Sequence, residues 1–303
     1  MTKITKAIMA RAEEFYLRTY FRWGLPARGF IQVNIETNSI CTRRCHYCIF
    51  GIKDVPVKKM PDALFFKIID ELRDMKFSGR LSLFELNEPL TDKRIYDFTR
   101  YAHIVLPKAY QLLVTNGDLL SIERLDMLMS AGLEHLMINS YDEPSKIRNM
   151  EFISYASDKY PGRVEHNDRT NFTEWESRAS HIEQYKKDPV DDLCEYPNYI
   201  LYIKPDGRVL GCWNDFDVEN VMGDLTSKTI KEVWFGQRFR EFRYKVNRGK
   251  RKGASPCNGC DHRPNIDYIR WIISLPAMKN SNKSFDKCTM NEAESIKNRY
   301  LKS

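Results

Sequence analysis

Cysteines are the residues best suited to chemistry in this 303-residue chain, which contains eight of them. Cys41, Cys45 and Cys48 lie within eight residues in a Cys-x3-Cys-x2-Cys arrangement, and Cys257 and Cys260 form a Cys-x2-Cys pair. Disulfides are rare in a reducing compartment, where clustered cysteines indicate metal ligands or catalytic thiols. The spacing therefore predicts that the chain holds a metal or an iron–sulfur cluster.

The three-cysteine loop has two interpretations. Three thiolates can each terminate one iron of a [4Fe–4S] cluster and leave the fourth iron open to a chelating ligand. The alternative is a zinc site with His46 as its fourth ligand. Structural zinc sites usually take their ligands as pairs from two short segments, whereas His46 lies between two of these cysteines. The spacing favours the cluster.

A second set of thiols is more widely separated in the sequence: Cys194, Cys212, Cys257 and Cys260. Four thiolates can close a cluster completely, and a four-cysteine zinc ribbon is the alternative. Residues 205–207, Pro-Asp-Gly, predict a hairpin turn that brings Cys194 and Cys212 together. Cys288 is left over in a polar segment and is expected to be a free thiol.

Strands and helices alternate through the first two thirds of the chain. Strands are predicted at residues 30–36, 80–86, 110–115 and 133–139, with helices near 64–72, 93–105 and 122–131. This order predicts parallel strands in a barrel or an open sheet, with the site at their carboxyl ends. The three-cysteine loop, Glu88 and Asn116 all fall at those ends.

Four segments are predicted. Residues 1–29 form a helical extension, 30–189 the barrel, 190–265 a smaller domain with a hairpin and a helix, and 266–303 a helical tail. The apolar stripe of Ile269, Trp271, Ile272 and Ile273 is expected to dock on the barrel of its own chain.

The sequence resembles the radical S-adenosylmethionine (SAM) superfamily in three motifs. These are Cys41-x3-Cys45-x-Tyr47-Cys48 after the first strand, Asn87-Glu88-Pro89 after the second, and Thr115-Asn116-Gly117 after the third. Asn87 stands where that superfamily usually has glycine. The resemblance implies a partial (β/α)6 barrel and a [4Fe–4S] cluster on Cys41, Cys45 and Cys48 that binds SAM. It also implies SAM contacts from a small group of side chains: Tyr47, Glu88, Thr115, Asn116 and Asn139.

The segment after the barrel resembles the SPASM/twitch module of such enzymes. The similarity lies in the four cysteines of the second set and in the linking segments Met222-Gly223-Asp224-Leu225 and Glu232-Val233-Trp234. A full module carries further cysteines after the Cys-x2-Cys pair, but here none occurs between Cys260 and Cys288. The resemblance therefore implies the shortened form, with one auxiliary [4Fe–4S] cluster.

Within the superfamily, the cysteine pattern is similar to that of the 2-deoxy-scyllo-inosamine dehydrogenases. By this resemblance Arg178 orients the substrate or assists its deprotonation. Trp213 and Asn214, beside the auxiliary cluster, are candidate substrate contacts, and so is His166 at the end of a strand. Asn214 stands where that group has an acidic residue. The resemblance therefore implies the same catalytic architecture for this chain but does not imply the same substrate.

The resulting functional prediction is a radical SAM oxidoreductase. A 5′-deoxyadenosyl radical would abstract hydrogen from a sugar-, aminocyclitol- or alcohol-like substrate, and the auxiliary cluster would take the second electron. A flavodoxin or ferredoxin is the expected electron donor. The first alternative is a maturase that cross-links or epimerises a ribosomal peptide.

Charge and hydropathy limit the other function classes. The chain has 48 basic and 41 acidic residues, a net charge of +7, and its basic residues are dispersed. The densest basic run, residues 248–252, is predicted to be a solvated surface. No apolar run approaches the roughly 18 residues of a membrane span, and the N-terminus lacks signal-peptide features. A cytoplasmic enzyme that binds neither membrane nor nucleic acid is expected; a zinc-bearing nucleic-acid-binding protein is the second alternative.

Overall fold

A computed structural model describes residue 19 and residues 29–278 and 287–302. The predicted N-terminal extension therefore lies almost entirely outside the described residues.

One mixed sheet organises the described part of the chain. Its strands are β1 (Gln32–Ile35), β2 (Arg80–Ser82), β3 (Tyr110–Thr115), β4 (His135–Ser140), β5 (Val164–Asp168), β6 (Ile200–Ile203), β7 (Arg208–Leu210) and β8 (Val221–Asp224). They lie in the order β5-β4-β3-β2-β1-β6-β7-β8. All neighbours from β5 to β6 are parallel, whereas β6, β7 and β8 pair antiparallel.

Helices connect these strands. They are α1 (Ile49–Ile52), α2 (Asp62–Asp74), α3 (Ile95–Val105), α4 (Ile122–Ser130), α5 (Glu143–Lys159), α6 (Ile230–Trp234), α7 (Gln237–Val246), α8 (Ile266–Met278) and α9 (Lys287–Leu301). None of the described helices has the length and hydropathy needed to cross a bilayer.

The predicted partial barrel accounts for the parallel strands. Strands β1 to β5 fall within residues 30–189, and the sixth parallel strand, β6, follows residue 190 and lies beside β1. The sheet therefore continues across the predicted segment boundary. Strand β1 leads into the three-cysteine loop, and its neighbour β6 leads into the β7 hairpin, which is followed by Cys212 of the second cysteine set. The two cysteine sets are therefore connected to adjacent strands.

Apolar spacing explains how the helices cover the sheet. Helix α2 buries a stripe of six side chains, Leu64, Phe65, Phe66, Ile68, Ile69 and Leu72. The ring of Phe65 stacks on that of Phe98 in α3 with centroids 3.8 Å apart. Helix α9 joins this layer through Glu292, whose Oε1 accepts a hydrogen bond from Nε of Arg100 in α3 at 2.7 Å.

Helix α8 packs against the parallel strands β1, β2 and β3. Leu275 is buried with Tyr110 and Leu112 of β3. The Tyr268 hydroxyl donates to Gln32 Oε1 of β1 at 3.2 Å, and Arg80 Nη1 donates to the same hydroxyl at 3.1 Å. Of the predicted stripe, Ile269 and Ile272 are buried in the main core and Trp271 packs against it, whereas Ile273 is 57 % exposed. Docking on the barrel of its own chain is therefore confirmed for three of the four residues.

Candidate functional site

The three-cysteine loop is curled against its own backbone. It follows β1 and ends at Cys48, directly before α1. The Cys48 N–H donates to the Cys45 carbonyl at 3.0 Å, and the Gly51 N–H donates to the Cys48 carbonyl at 2.9 Å. A Cβ atom at Gly51 would lie 2.1 Å from the Cys45 carbonyl oxygen, so only glycine fits at this position. The backbone from Cys45 to Gly51 therefore forms a tight turn.

The thiols of this loop are half-buried and lie within electrostatic reach of one another. Burial raises the pKa of the Cys41 thiol to about 11, and the nearby Glu88 carboxylate and the thiols of Cys48 and Cys45 raise it further. Iron binds thiolates, and its positive charge would offset both effects. The donor set fits an iron–sulfur cluster.

Arg43 ties the loop to two strand ends. Its Nε and Nη2 donate to the two Asp118 carboxylate oxygens at 2.8 and 2.7 Å, and its Nη1 donates to Asp142 Oδ2 at 2.8 Å. Asp118 follows β3, and Asp142 caps the N-terminus of α5 after β4. The sequence analysis did not identify these three residues. The position of Asp118 next to Asn116-Gly117 at a strand end was the available signal.

Glu88 connects the ends of β2 and β3. Its carboxylate accepts hydrogen bonds from Asn116 N (2.8 Å), Thr115 Oγ1 (2.7 Å) and Leu90 N (3.1 Å). Burial raises its pKa to about 7, although these donors oppose the increase. Asn87, in the usual glycine position, accepts from Glu85 N at 3.2 Å and donates to Asn38 at 3.3 Å. The Asn87 side chain therefore fixes the turn that presents Glu88.

Replacing Glu88 by Gln is expected to change how stability depends on pH. The Glu88 pKa is about 7 in the folded protein against an ordinary value of 4.5, so the folded state binds this proton more tightly. The contribution of this bound proton to the free energy of unfolding is fully present below pH 4.5 and is lost as the pH rises through 7. Relative to Glu88→Gln, the parent should lose about 1 kcal/mol of unfolding free energy between pH 6 and 8. Anaerobic urea titrations of the parent and of Glu88→Gln at both pH values measure this difference. An equal change of unfolding free energy in the two proteins between pH 6 and 8 would contradict the prediction.

The other candidate SAM contacts surround the same loop. Asn116 Nδ2 donates to Thr42 Oγ1 at 2.9 Å. Asn139, at the end of β4, donates to the Tyr141 hydroxyl at 2.9 Å. The Tyr47 ring stacks on Trp175 with centroids 3.6 Å apart. The three-cysteine loop therefore lies against the carboxyl ends of β3 and β4, where the sequence analysis expected the site.

His166 has a local partner. Its Nε2 lies 2.8 Å from Ser140 Oγ on the neighbouring strand β4. It does not line the cavity described below. This placement does not support His166 as a substrate contact.

The four cysteines of the second set come together in the fold. Burial raises the pKa of the Cys212 thiol well above its usual value, and the nearby thiols of Cys257, Cys194 and Cys260 raise it further. Burial also raises the pKa of Cys257 to about 12. Burial and the neighbouring thiols of this set raise the pKa values of Cys212, Cys257 and Cys260, which fits a site whose ligands bind as thiolates.

Arg251 supplies positive charge to this set. The guanidinium is 2 % exposed and lies within electrostatic reach of Cys194, Cys257 and Cys260. Its Nη1 donates to the carbonyls of Val190 and His262, both at 3.1 Å. The prediction that residues 248–252 form a solvated surface is therefore wrong for Arg251, because a buried cation balances the charge that cluster-bound thiolates would carry.

Arg178 lies between the two cysteine sets. Its Nε donates to the Tyr47 carbonyl at 3.3 Å, and its guanidinium carbon lies 4.4 Å from the centroid of the Trp213 ring. Burial lowers its pKa, although the Glu176 carboxylate and the Cys48 thiol oppose the decrease. This position allows Arg178 to contact a molecule held between the two sets.

The backbone around Arg178 is strained. Arg178, Ala179 and Ser180 all have left-handed φ values, of 54°, 56° and 68°. Each such non-glycine residue costs about 1–2 kcal/mol. Ser180 Oγ donates to the Gly259 carbonyl at 2.9 Å, so the Cys257–Cys260 loop helps to hold this conformation. The second cysteine set thereby helps to orient Arg178.

A cavity of about 320 Å³ opens beside Trp213. The ends of β1, β2 and β6, helix α1 and residues 213–218 contribute to its wall. Asn214 is buried next to it, and its backbone N–H donates to Cys212 Sγ at 3.4 Å. Of the two predicted contacts after Cys212, the structure places Trp213 in the cavity wall and Asn214 against the second cysteine set.

Comparisons with known proteins agree with this arrangement. A family description of the radical SAM superfamily matches residues 35–142, and one of the SPASM iron-sulfur cluster-binding domain matches residues 194–261. The chain is 26% identical over 236 residues to the S-adenosyl-L-methionine-dependent 2-deoxy-scyllo-inosamine dehydrogenase of Niallia circulans. That match covers 77% of this chain and 93% of the relative.

Solved structures extend the comparison. The crystal structure of BtrN in complex with AdoMet and 2-DOIA is 25% identical, with a TM-score of 0.70, and the match covers 78% of this chain and 94% of that one. The structure of Streptococcus suis SuiB bound to the precursor peptide SuiA is 13% identical, with a TM-score of 0.50, and covers 85% and 75% of the two chains. The second similarity is one of fold alone.

Proposed function

We infer that this chain, a radical SAM enzyme with a C-terminal SPASM domain, is an oxidoreductase that dehydrogenates an aminocyclitol or a closely related polar ring. The observation that carries this proposal is the second cysteine set. The four thiols lie within electrostatic reach of one another, and a cluster ligated by all four would have no iron free for substrate and would serve to accept an electron. The relative with 26% identity over most of both chains is named as such a dehydrogenase.

Cys41, Cys45 and Cys48 would hold the cluster that binds SAM, and Cys194, Cys212, Cys257 and Cys260 the auxiliary cluster. When bound, the first cluster and SAM together supply the oxidant that removes a hydrogen atom from the substrate. We propose a flavodoxin or ferredoxin as the electron donor. We also propose a cytoplasmic location, where these thiols would stay reduced.

The residues of this chain position the reactants. Arg43 and Glu88 fix the three-cysteine loop and the strand ends that face SAM. Arg178 presents a charged donor between the two cysteine sets, and we propose that it orients a substrate hydroxyl. A guanidinium is a poor base, so orientation is the role that its chemistry supports.

Peptide modification is less well supported. The cavity of about 320 Å³ matches a small ring in size. The similarity to the peptide-bound SuiB structure concerns the fold and carries no substrate information.

The first test is oxidation of 2-deoxy-scyllo-inosamine in deuterated water by the reconstituted, reduced enzyme with SAM. We expect a ketone, trapped as its oxime, and one 5′-deoxyadenosine for each ketone formed. An unoxidised epimer carrying solvent deuterium would contradict dehydrogenation. Deoxyadenosine that forms at the same rate with and without this amine would contradict the substrate class.

A further inference from the structure

The cavity beside Trp213 contains more acidic than basic groups. Six carboxylates line it, those of Glu36, Asp54, Glu85, Asp206, Asp215 and Asp217, together with four cations, Lys53, Lys58, Lys204 and Arg208. The whole chain, by contrast, has a net charge of +7. The excess of negative charge is therefore local to this cavity.

Acidic partners already engage each lining cation. Lys204 pairs with Glu36 and Lys53 with Asp217. Asp206 pairs with both Lys58, at 2.6 Å, and Arg208, at 2.7 Å. A ligand in the cavity would therefore meet cations that are already engaged, although Asp206 is shared between two of them.

Three lining carboxylates, those of Asp54, Glu85 and Asp215, form no ion pair within the described residues. Asp54 is exposed to solvent, and Asp215 accepts hydrogen bonds from the backbone N–H groups of Glu219 and Asn220. Glu85 therefore has the least compensated charge of the three. It follows β2 and accepts a hydrogen bond from Asn34 Nδ2 of β1, and within the described part of the chain it forms no ion pair. The nearest cations are Lys204, which pairs with Glu36, and Arg80, whose guanidinium donates to Ser82 and Tyr268. Burial raises the pKa of Glu85 to about 7, and the neighbouring Glu36 carboxylate adds to the increase.

A carboxylate in such surroundings gains most from a cation brought by a ligand. Enclosing a charge without a partner is costly, and a hydrogen-bonded counter-ion recovers that cost. The adjoining walls are apolar, with Phe50, Leu86, Tyr202 and Trp213 facing the cavity. An acidic group beside apolar and aromatic walls suits a compact ring that carries one positive charge.

We propose that Glu85 binds the ammonium group of the substrate and thereby selects an amine-bearing ring over a neutral one. The proposal rests on the proposed function and specifies its substrate class. Apolar walls would contact the C–H faces of the ring, and Arg178 would orient a hydroxyl on the side of the cysteine sets.

The direct test is binding of cyclohexylamine and cyclohexanol to the reconstituted enzyme, measured by isothermal titration calorimetry without turnover. We expect the parent to bind the amine at least tenfold more tightly than the alcohol. Glu85→Gln should abolish this difference, because the amide matches the carboxyl in shape but carries no charge. Glu151→Gln, which removes an exposed carboxylate of α5, is the matched control and should retain it.

Other outcomes separate this proposal from the proposed function. Equal binding of amine and alcohol by the parent, or an unchanged preference in Glu85→Gln, would overturn the ammonium site. A preference that depends on Glu85 without oxidation of 2-deoxy-scyllo-inosamine would retain the site and reject the function. Oxidation of 2-deoxy-scyllo-inosamine without a preference for the amine that depends on Glu85 would retain the proposed function and reject the ammonium site.

A second variant covers the case in which Glu85→Gln does not fold. Glu85→Asp keeps the charge and withdraws it by one methylene, so amine binding should weaken several-fold while alcohol binding stays constant. Unchanged amine binding in Glu85→Asp would contradict the proposed contact.

Discussion

Replacing Cys41, Cys45 and Cys48 together by alanine is expected to abolish 5′-deoxyadenosine formation and to reduce the iron content from about eight to about four atoms per chain. Each of these thiols is expected to terminate one iron of the cluster that binds SAM, and no other cysteine lies in this loop. The Cys194, Cys212, Cys257 and Cys260 set has its own buried surroundings and should retain its cluster.

The measurements are iron and sulfide per chain after anaerobic reconstitution, with deoxyadenosine quantified after reduction in the presence of SAM. Cys288→Ala is the control, since Cys288 is the predicted free thiol and should change neither quantity. If the triple variant lost all of its iron, the chain would have no independent auxiliary cluster, and the dehydrogenase proposal would fail. If the triple variant still formed deoxyadenosine, its cluster ligands would have been assigned wrongly.

Short-range patterns were sufficient to predict most of the architecture. Alternating strands and helices indicated the parallel sheet, and the Gly207 turn indicated the β6–β7 hairpin, which the structure contains. The single helix predicted in the segment 190–265 is two helices, α6 and α7, with Gly236 as the N-cap residue of α7. Periodicity identifies an apolar stripe reliably but does not show where the stripe changes direction.

Long-range partnerships could not be predicted from the sequence. Arg43 reaches Asp118 and Asp142, which are 75 and 99 residues away. Arg251 belongs to a basic run that resembles a solvated surface, and its role depends on three cysteines that folding brings near it. Glu85 lies in a predicted strand as one polar residue among others, and its lack of an ion pair is visible only in the folded cavity. Charge balance in a cavity depends on the complete fold.

Replacing Cys257 and Cys260 together by alanine is expected to separate SAM cleavage from substrate oxidation. The variant should lose about half of its iron and reduce ketone formation at least a hundredfold, while deoxyadenosine continues to form. The reason is that oxidation of a hydroxyl-bearing carbon removes two electrons, and hydrogen-atom abstraction accounts for only one of them. The second electron needs an acceptor near the substrate. Arg178 contacts both Tyr47 of the three-cysteine loop and Trp213, which directly follows Cys212 of the four-cysteine set.

This variant also perturbs Arg178, so a loss of ketone has two possible origins. The Cys257–Cys260 loop holds the strained residues 178–180 through Ser180 and the Gly259 carbonyl, and a collapsed loop would release them. Ser180→Ala removes that contact and leaves all four thiols in place. If electron transfer is the cause, Ser180→Ala should retain iron and most of the ketone, while Cys257→Ala/Cys260→Ala should show repeated deoxyadenosine formation without product. If both variants lost ketone formation equally while Ser180→Ala kept its full iron content, the Cys257–Cys260 loop would be a positioning element for Arg178. The loss of ketone would then give no evidence that the auxiliary cluster accepts an electron.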